Sequence, residues 1–431
     1  MKRCYRYAIS IIAVVIALTI TVPVQAAAAF VANTEISSRG AVVIDYDTGI
    51  ILYAHNENTQ RVPASMMKVL AAYVVYDAIE AGEIGFNTSA AISKSTSEFS
   101  YNKTYSNAPL PEGSSFTIRQ LMEIVLVCSA CAATIAMGER LCGSEKEFIE
   151  RMKEKATRLG VDTEVYDCWG GSPGNRISPL GIATVTRSFI MEHPEVLEIT
   201  AKRNVTFNGA TYNSSNLLLG QYVGIDGFKT GYTDPAGYCF TGTAKQGGRR
   251  LISVTMGSTL SARYPDTRAL LNYGFTVADQ VIADYYSRYY ARPSTANLIL
   301  DGVSMPLYAY MLNGSHYFRL RDLAYLLNGT VKQFQVDWNG EDNSISLTGG
   351  IPYTADGSEL SFPVEGARPY HLSPTALFFD GVEYEFEIYR IDNYSYFKLR
   401  DLVDPMGFGV EWISETRTVV INTNFEYAAA A

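Results

Sequence analysis

Apolar residues run through Ala41-Val42-Val43-Ile44 and again through Ile50-Ile51-Leu52-Tyr53, and the polar Asp47-Thr48-Gly49 between them predicts a β-hairpin. The period changes after Pro63-Ala64-Ser65. From Met66 to Ala81 the apolar positions follow helical spacing, and Gly82 stops them. Thr117-Ile118-Arg119-Gln120 has the form of a capping box opening a helix through Val127, and Ala132 to Leu141 again reads as helix. Tyr238 to Thr243 and Leu251 to Met256 read as strands around Gln246-Gly247-Gly248. Strands near both ends with helices between them predict an α+β first half.

The second half repeats itself. Asp301-Gly302-Val303 recurs as Asp380-Gly381-Val382, and Tyr317-Phe318-Arg319-Leu320-Arg321-Asp322-Leu323 recurs as Tyr396-Phe397-Lys398-Leu399-Arg400-Asp401-Leu402, both offset by 79 positions. Each copy then passes through a tryptophan, Val336-Asp337-Trp338 or Val410-Glu411-Trp412, into a strand-like end. Each copy is predicted to be strands, a short helix starting near Leu320 or Leu399, and closing strands, making a smaller α+β domain of two repeats. The paired Arg-Asp and Trp residues read as a helix-start ion pair and a core aromatic rather than as ligand contacts, because a repeated position usually encodes the fold.

At 431 residues, 47% hydrophobic and 18% charged, the chain can bury large cores, and its length fits two or three domains. Lys2, Arg3 and Arg6 precede the short apolar run Ala8 to Val22, and Val24-Gln25-Ala26 offers a small-residue cleavage site, so residues 1–26 are read as an export signal. The other reading is a retained N-terminal anchor. Removing them leaves 32 basic and 44 acidic residues, a net charge of −12, which argues against nucleic acid or anionic lipid as the main partner. Five cysteines then remain, an odd number that is no disulfide framework, and a Cys128–Cys131 bridge within one helical turn would be strained. His55, His193, His316 and His371 are scattered, so neither a metal site nor a cofactor is predicted.

A serine hydroxyl needs a neighbouring base to become a nucleophile, and Lys68 stands one helical turn beyond Ser65 on the same face. Ser65 also sits at a predicted helix start, where outward N–H groups can stabilise an oxyanion. Far downstream, Asp226-Gly227-Phe228-Lys229-Thr230-Gly231-Tyr232-Thr233 puts Lys-Thr-Gly on a strand-like stretch. Lys229 and the Thr230 hydroxyl suit a terminal carboxylate, and Gly231 would let substrate approach the strand edge. Gly-Tyr-Thr-Asp-Pro is also turn-like.

Together, Val62-Pro63-Ala64-Ser65-Met66-Met67-Lys68, Asp226 to Thr233, Asp45 to Gly49 and Leu270 to Phe275 make the chain resemble the penicillin-binding serine hydrolases, in particular the low-molecular-weight D-alanyl-D-alanine carboxypeptidases, over residues 31–276. The resemblance implies a β-lactamase/transpeptidase-like domain in which an antiparallel sheet is flanked by a helical cluster. It implies acylation of Ser65 by the penultimate D-alanine carbonyl of a peptidoglycan stem peptide, with Lys68 as base and Ser129 relaying protons to the leaving amine. The backbone N–H groups of Ser65 and Tyr232 would form the oxyanion hole, and β-lactams would acylate the same serine. Hydrolysis would then free the enzyme in an extracytoplasmic or cell-wall setting.

One departure bears on the rate. Where the family has Ser-x-Asn, this chain has Ser129-Ala130-Cys131, and a thiol is a weak donor and a weak acceptor. Losing one such contact is worth about 1.5–3 kcal/mol, which slows an enzyme more than it stops one. Cys131 admits two further readings, a small buried apolar side chain or a thiol activated by the neighbouring lysines. Asp167-Cys168-Trp169-Gly170-Gly171 also lacks an asparagine that the family often has. Residues 277–293 are expected as a linker, and residues 294–424 resemble the stalk-type modules named after the N-terminal domain of copper amine oxidases, implying surface attachment without copper chemistry. Competing readings are a weakened penicillin-binding fold serving as a scaffold, and a serine β-lactamase.

Overall fold

The computed structural model describes residues 35–340, 342–360 and 366–424. The predicted export signal lies outside them. The chain divides into two units between Ala278 and Asp279. That division falls inside the helix Arg263–Tyr289, and Tyr290–Pro293 is strand, so the stretch expected as a linker is regular structure.

In the first unit the predicted hairpin forms as Gly40–Asp45 and Ile51–His55. Its turn is tied by the buried Asp45 carboxylate, which accepts from the Thr48 amide at 2.9 Å and hydroxyl at 2.7 Å and pairs with Arg249 at 2.6 Å. The strands read at the far end of the unit, Ile225–Thr233, Gly237–Gln246 and Arg249–Ser258, join the hairpin in one antiparallel sheet, with Arg249–Ser258 beside Gly40–Asp45. Ile225–Thr233 is therefore an edge strand.

Helix Met67–Glu80 is apolar on nearly every face and buried on nearly every face, as the central element of a helical cluster must be. Ile118–Cys128 begins on the predicted capping box, with Thr117 Oγ1 accepting from the Gln120 amide at 3.2 Å and Gln120 Oε1 from the Thr117 amide at 2.9 Å, worth about 1 kcal/mol. Helix Cys131–Cys142 follows after a two-residue break. The five described cysteines are free, with Cys128 donating to Ile124 O at 3.1 Å. His193 is not isolated as its sequence position implied. Asp77, Glu192 and His193 gather within 4.8 Å, and the Lys155 ammonium, 3.0 Å from Asp77 and 3.1 Å from Glu192, supplies the positive charge there.

The second unit is rich in strands. At its centre Ser315–Arg319 lies antiparallel to Tyr394–Lys398, so Phe318 faces its own repeat mate Phe397. The unit also has two four-stranded sheets, each built of two hairpins from different copies: Asn297–Leu300 pairs in parallel with Thr418–Asn422, and Ala376–Phe379 with Ser344–Gly349. The expected helices form at Leu320–Leu327, and at Leu399–Leu402 as a 3-10 turn continued by Val403–Met406. Two readings are corrected. The helix-start ion pair is buried and joins Asp322 to Arg319, while Arg321 pairs with Asp356 at 2.6 Å. The tryptophans are not core residues, since Trp338 is 49% and Trp412 41% exposed.

Candidate active site

Pro63 enters a single 3-10 turn, Ala64–Met66, which runs directly into the central helix. Ser65 thus sits where the buried central helix of the unit begins, and Lys68 lies one turn on with no exposed surface. The Lys68 Nζ donates to Ser65 Oγ at 2.8 Å and to the Trp169 carbonyl at 2.7 Å, and contacts Cys131 Sγ at 3.4 Å.

Ser129 occupies the break between the two helices Ile118–Cys128 and Cys131–Cys142 with φ of +68°, a left-handed conformation that costs a non-glycine residue about 1 kcal/mol or more. That conformation turns its side chain to the edge strand, where Lys229 Nζ donates to Ser129 Oγ at 2.8 Å. Lys229 also donates to the Thr230 carbonyl at 3.0 Å and is 1% exposed. Burial first, and then the charges of Lys68 and Arg263, push the Lys229 pKa well below the ordinary lysine value. Among the described residues neither Lys68 nor Lys229 is paired with a carboxylate. The two lysines thus share one serine-lined cleft, Lys68 with Ser65 and Lys229 with Ser129.

Gly231 has a partner the sequence did not reveal. A Cβ there would stand 2.6 Å from the Pro63 carbonyl, so glycine is what lets the strand lie against the turn that carries Ser65. Tyr232 is the exposed end of the motif, its ring 4.3 Å from that of Tyr238 and its hydroxyl donating to Asp234 at 2.7 Å. The Thr230 hydroxyl donates to Ser215 Oγ at 2.7 Å.

Three features escaped the sequence. The loop 167–172 is wound around one carboxylate: Asp167 accepts from the amides of Trp169 at 3.1 Å and Gly171 at 3.0 Å, and also from those of Gly170 and Ser172. This aims the Trp169 carbonyl at Lys68. Gly170 has φ of +88°, and a Cβ on it would meet the Ala64 carbonyl at 1.9 Å, so the loop presses on the turn that carries Ser65 as well. Arg263 is the third. Its Nη2 donates to Tyr264 Oη at 3.0 Å, Tyr264 donates to the Ser215 carbonyl at 2.6 Å, and its buried Nε has no partner. A backbone carbonyl carries no residue signature, and Arg263 lies 34 positions beyond Lys229, so no local pattern announced either.

Cys131 takes the place between the two lysines at 2% exposure. Burial pushes the neighbouring Cys128 thiol up to about 11, which keeps that residue protonated.

The chain is similar to known proteins over this unit. D-alanyl-D-alanine carboxypeptidase DacD of Escherichia coli strain K12 is 32% identical over 247 residues, a match covering 56% of this chain and 63% of that protein, which is less than two thirds of its length. The ampicillin-bound crystal structure of penicillin-binding protein D2 from Listeria monocytogenes is 30% identical with a TM-score of 0.51, covering 57% of this chain and all of that one. The Streptomyces K15 DD-transpeptidase, 26% identical with a TM-score of 0.53 over 56% of this chain and 99% of that one, has been solved as a cysteine-to-asparagine mutant and as a serine-to-alanine mutant two positions earlier, the spacing of Ser129 and Cys131. A model of the family described as D-alanyl-D-alanine carboxypeptidase matches residues 25–259, more than half of the chain, and the chain belongs to that family.

Proposed function

We propose that the first unit is a serine D-Ala-D-Ala carboxypeptidase that removes the terminal D-alanine of peptidoglycan stem peptides outside the cytoplasm. The observation that carries this is the 2.8 Å contact of Lys68 Nζ with Ser65 Oγ beside the 2.8 Å contact of Lys229 Nζ with Ser129 Oγ. Lys68 takes the Ser65 proton as the hydroxyl oxygen attacks the penultimate carbonyl, and the Ser65 and Tyr232 amides hold the oxyanion. Ser129, held by Lys229, relays to the leaving D-alanine amine the proton that Lys68 took from Ser65. The substrate lies along the edge strand Ile225–Thr233, and its terminal carboxylate meets Lys229, Thr230 and Arg263. Water then cleaves the acyl-enzyme. The bound ampicillin and cefotaxime of the Listeria relative support a β-lactam ester on the same serine. Among the described residues no helix is long and apolar enough to cross a membrane.

A second reading is favoured by Cys131: the acyl group passes to an amine instead of water, as the name of the Streptomyces DD-transpeptidase describes for that protein. The test incubates the protein with a fluorescent penicillin and with a peptide ending in D-Ala-D-Ala, with and without an added amino-acid acceptor. Long-lived labelling that Ser65→Ala abolishes, with free D-alanine released in water, is the expected result. Ligated product without hydrolysis selects the second reading. Wild type that never acylates at Ser65 sinks both.

A further inference from the structure

Two cavities in the second unit are each lined by residues of both copies. The larger, about 370 Å³, takes Ser315 and His316 from the first copy and Lys398, Arg400, Glu411 and Trp412 from the second. The smaller, about 150 Å³, is the same arrangement with the copies exchanged: Tyr394 and Ser395 from the second, Arg319, Arg321, Asp337 and Trp338 from the first. Ser315 and Tyr394, Lys398 and Arg319, and Arg400 and Arg321 are repeat mates at the offset of 79, so the cavities are related by the symmetry of the repeat.

Each cavity has a half-exposed indole in its wall with an acidic and a basic side chain beside it. Nothing in the folding of the unit requires a large aromatic to remain in water twice over at symmetric positions. The Trp412 ring is fixed in place: His316 packs on it with centroids 5.1 Å apart, and Ser294 Oγ lies 3.0 Å from His316 Nδ1. A flat apolar face bordered by hydrogen-bonding groups in a shallow cavity matches a pyranose ring, which is apolar on its C–H face and polar around its rim. The two cavities differ in charge. Arg319 and Arg321 of the smaller are ion-paired with Asp322 and Asp356, whereas among the described residues Lys398 and Arg400 of the larger are paired with no carboxylate.

We infer that the second unit binds a cell-wall glycan strand through both cavities, a neutral sugar against Trp338 and a carboxylate-bearing sugar against Trp412. Only the choice of a wall glycan rests on the function proposed for the first unit. Two sites on one strand act together, and such bivalency raises affinity by about 10²–10⁴ over either alone.

The test uses the whole protein, with Ser65 blocked by penicillin, titrated in a calorimeter with peptide-free peptidoglycan glycan strands and with neutral β-1,4-linked N-acetylglucosamine oligomers. Replacing both tryptophans, Trp338→Ala with Trp412→Ala, is expected to weaken strand binding by about 100-fold, within the range for bivalent attachment. The pair Trp338→Tyr and Trp412→Tyr keeps a flat face and is expected to retain binding within about threefold, consistent with the contribution of one aromatic contact. Neutral oligomers are expected to bind more weakly than strands, and Lys398→Gln with Arg400→Gln to remove that difference. Strand binding by the double alanine variant equal to wild type, or equal losses for the alanine and tyrosine pairs, overturns the inference, and equal binding of acidic and neutral glycans by wild type overturns its assignment of charge. Ser65 labelling is read separately: if penicillin fails to label, the function proposed above fails, while the titration of unlabelled protein still decides the glycan sites.

Discussion

Charge is buried in opposite ways at the candidate site of the first unit and in the ion pairs found elsewhere in both units. At the site of the first unit, Lys68 and Lys229 are almost wholly removed from water and, among the described residues, are paired with no carboxylate, being held by hydroxyls, carbonyls and a thiol. In the second, the buried Arg319 guanidinium is matched by Asp322 at the start of its helix. A buried charge with a counter-charge serves the fold, because removing either partner leaves the other stranded. Buried charge without one is a cost that the fold carries for chemistry. The aromatic residues divide the other way: the first unit packs Tyr73, Tyr76 and Phe189 into its core, while the second turns both of its tryptophans outward.

That contrast can be broken by substitution. The largest effect is expected at Lys68: Lys68→Met should slow penicillin acylation by roughly 10⁴-fold, about 5.5 kcal/mol, without lowering the melting temperature. A large fall in melting temperature would show that the lysine holds the fold together. Asp322→Ala is the converse, with about 3–5 kcal/mol of stability lost from the second unit in calorimetric unfolding and no change in Ser65 labelling. Next comes the pH profile. Lys229 binds a carboxylate only when protonated, and its pKa is lowered, so kcat/KM should fall as pH rises through a range below 10.5, whereas Lys229→Arg should keep its charge and move that loss to higher pH. Cys131→Asn places an amide between the lysines and is expected to speed release of D-alanine about tenfold, ~1.4 kcal/mol. The smallest effect belongs to Asp401→Ala, the repeat mate of Asp322, which has no ion pair among the described residues and should cost less than about 0.5 kcal/mol.

The residues that stand within one turn of each other or side by side along one strand were legible beforehand. Ser65 and Lys68 are three positions apart on a helix, and Lys229-Thr230-Gly231 is contiguous, so spacing alone placed their side chains together. What joined the two motifs was not legible. Ser129 reaches Lys229 through a left-handed backbone, and Lys68 reaches the Trp169 carbonyl through a loop organised by Asp167, across 101 positions. The tryptophans show a different limit. Alternation puts Phe334, Val336 and Trp338 on one face of a strand, and the first two are buried, but that face passes from core to solvent along its length. Periodicity reports which side a residue is on and says nothing of where the core ends.

The exchanged hairpins have a consequence for assembly. Neither copy of the repeat can close its own four-stranded sheet, so a single copy is complete only beside a second molecule of itself, as in a domain-swapped dimer. Joining two copies in one chain makes that association intramolecular and independent of concentration. A single copy on its own would leave both of its outer hairpins without the partner strand that completes their sheets.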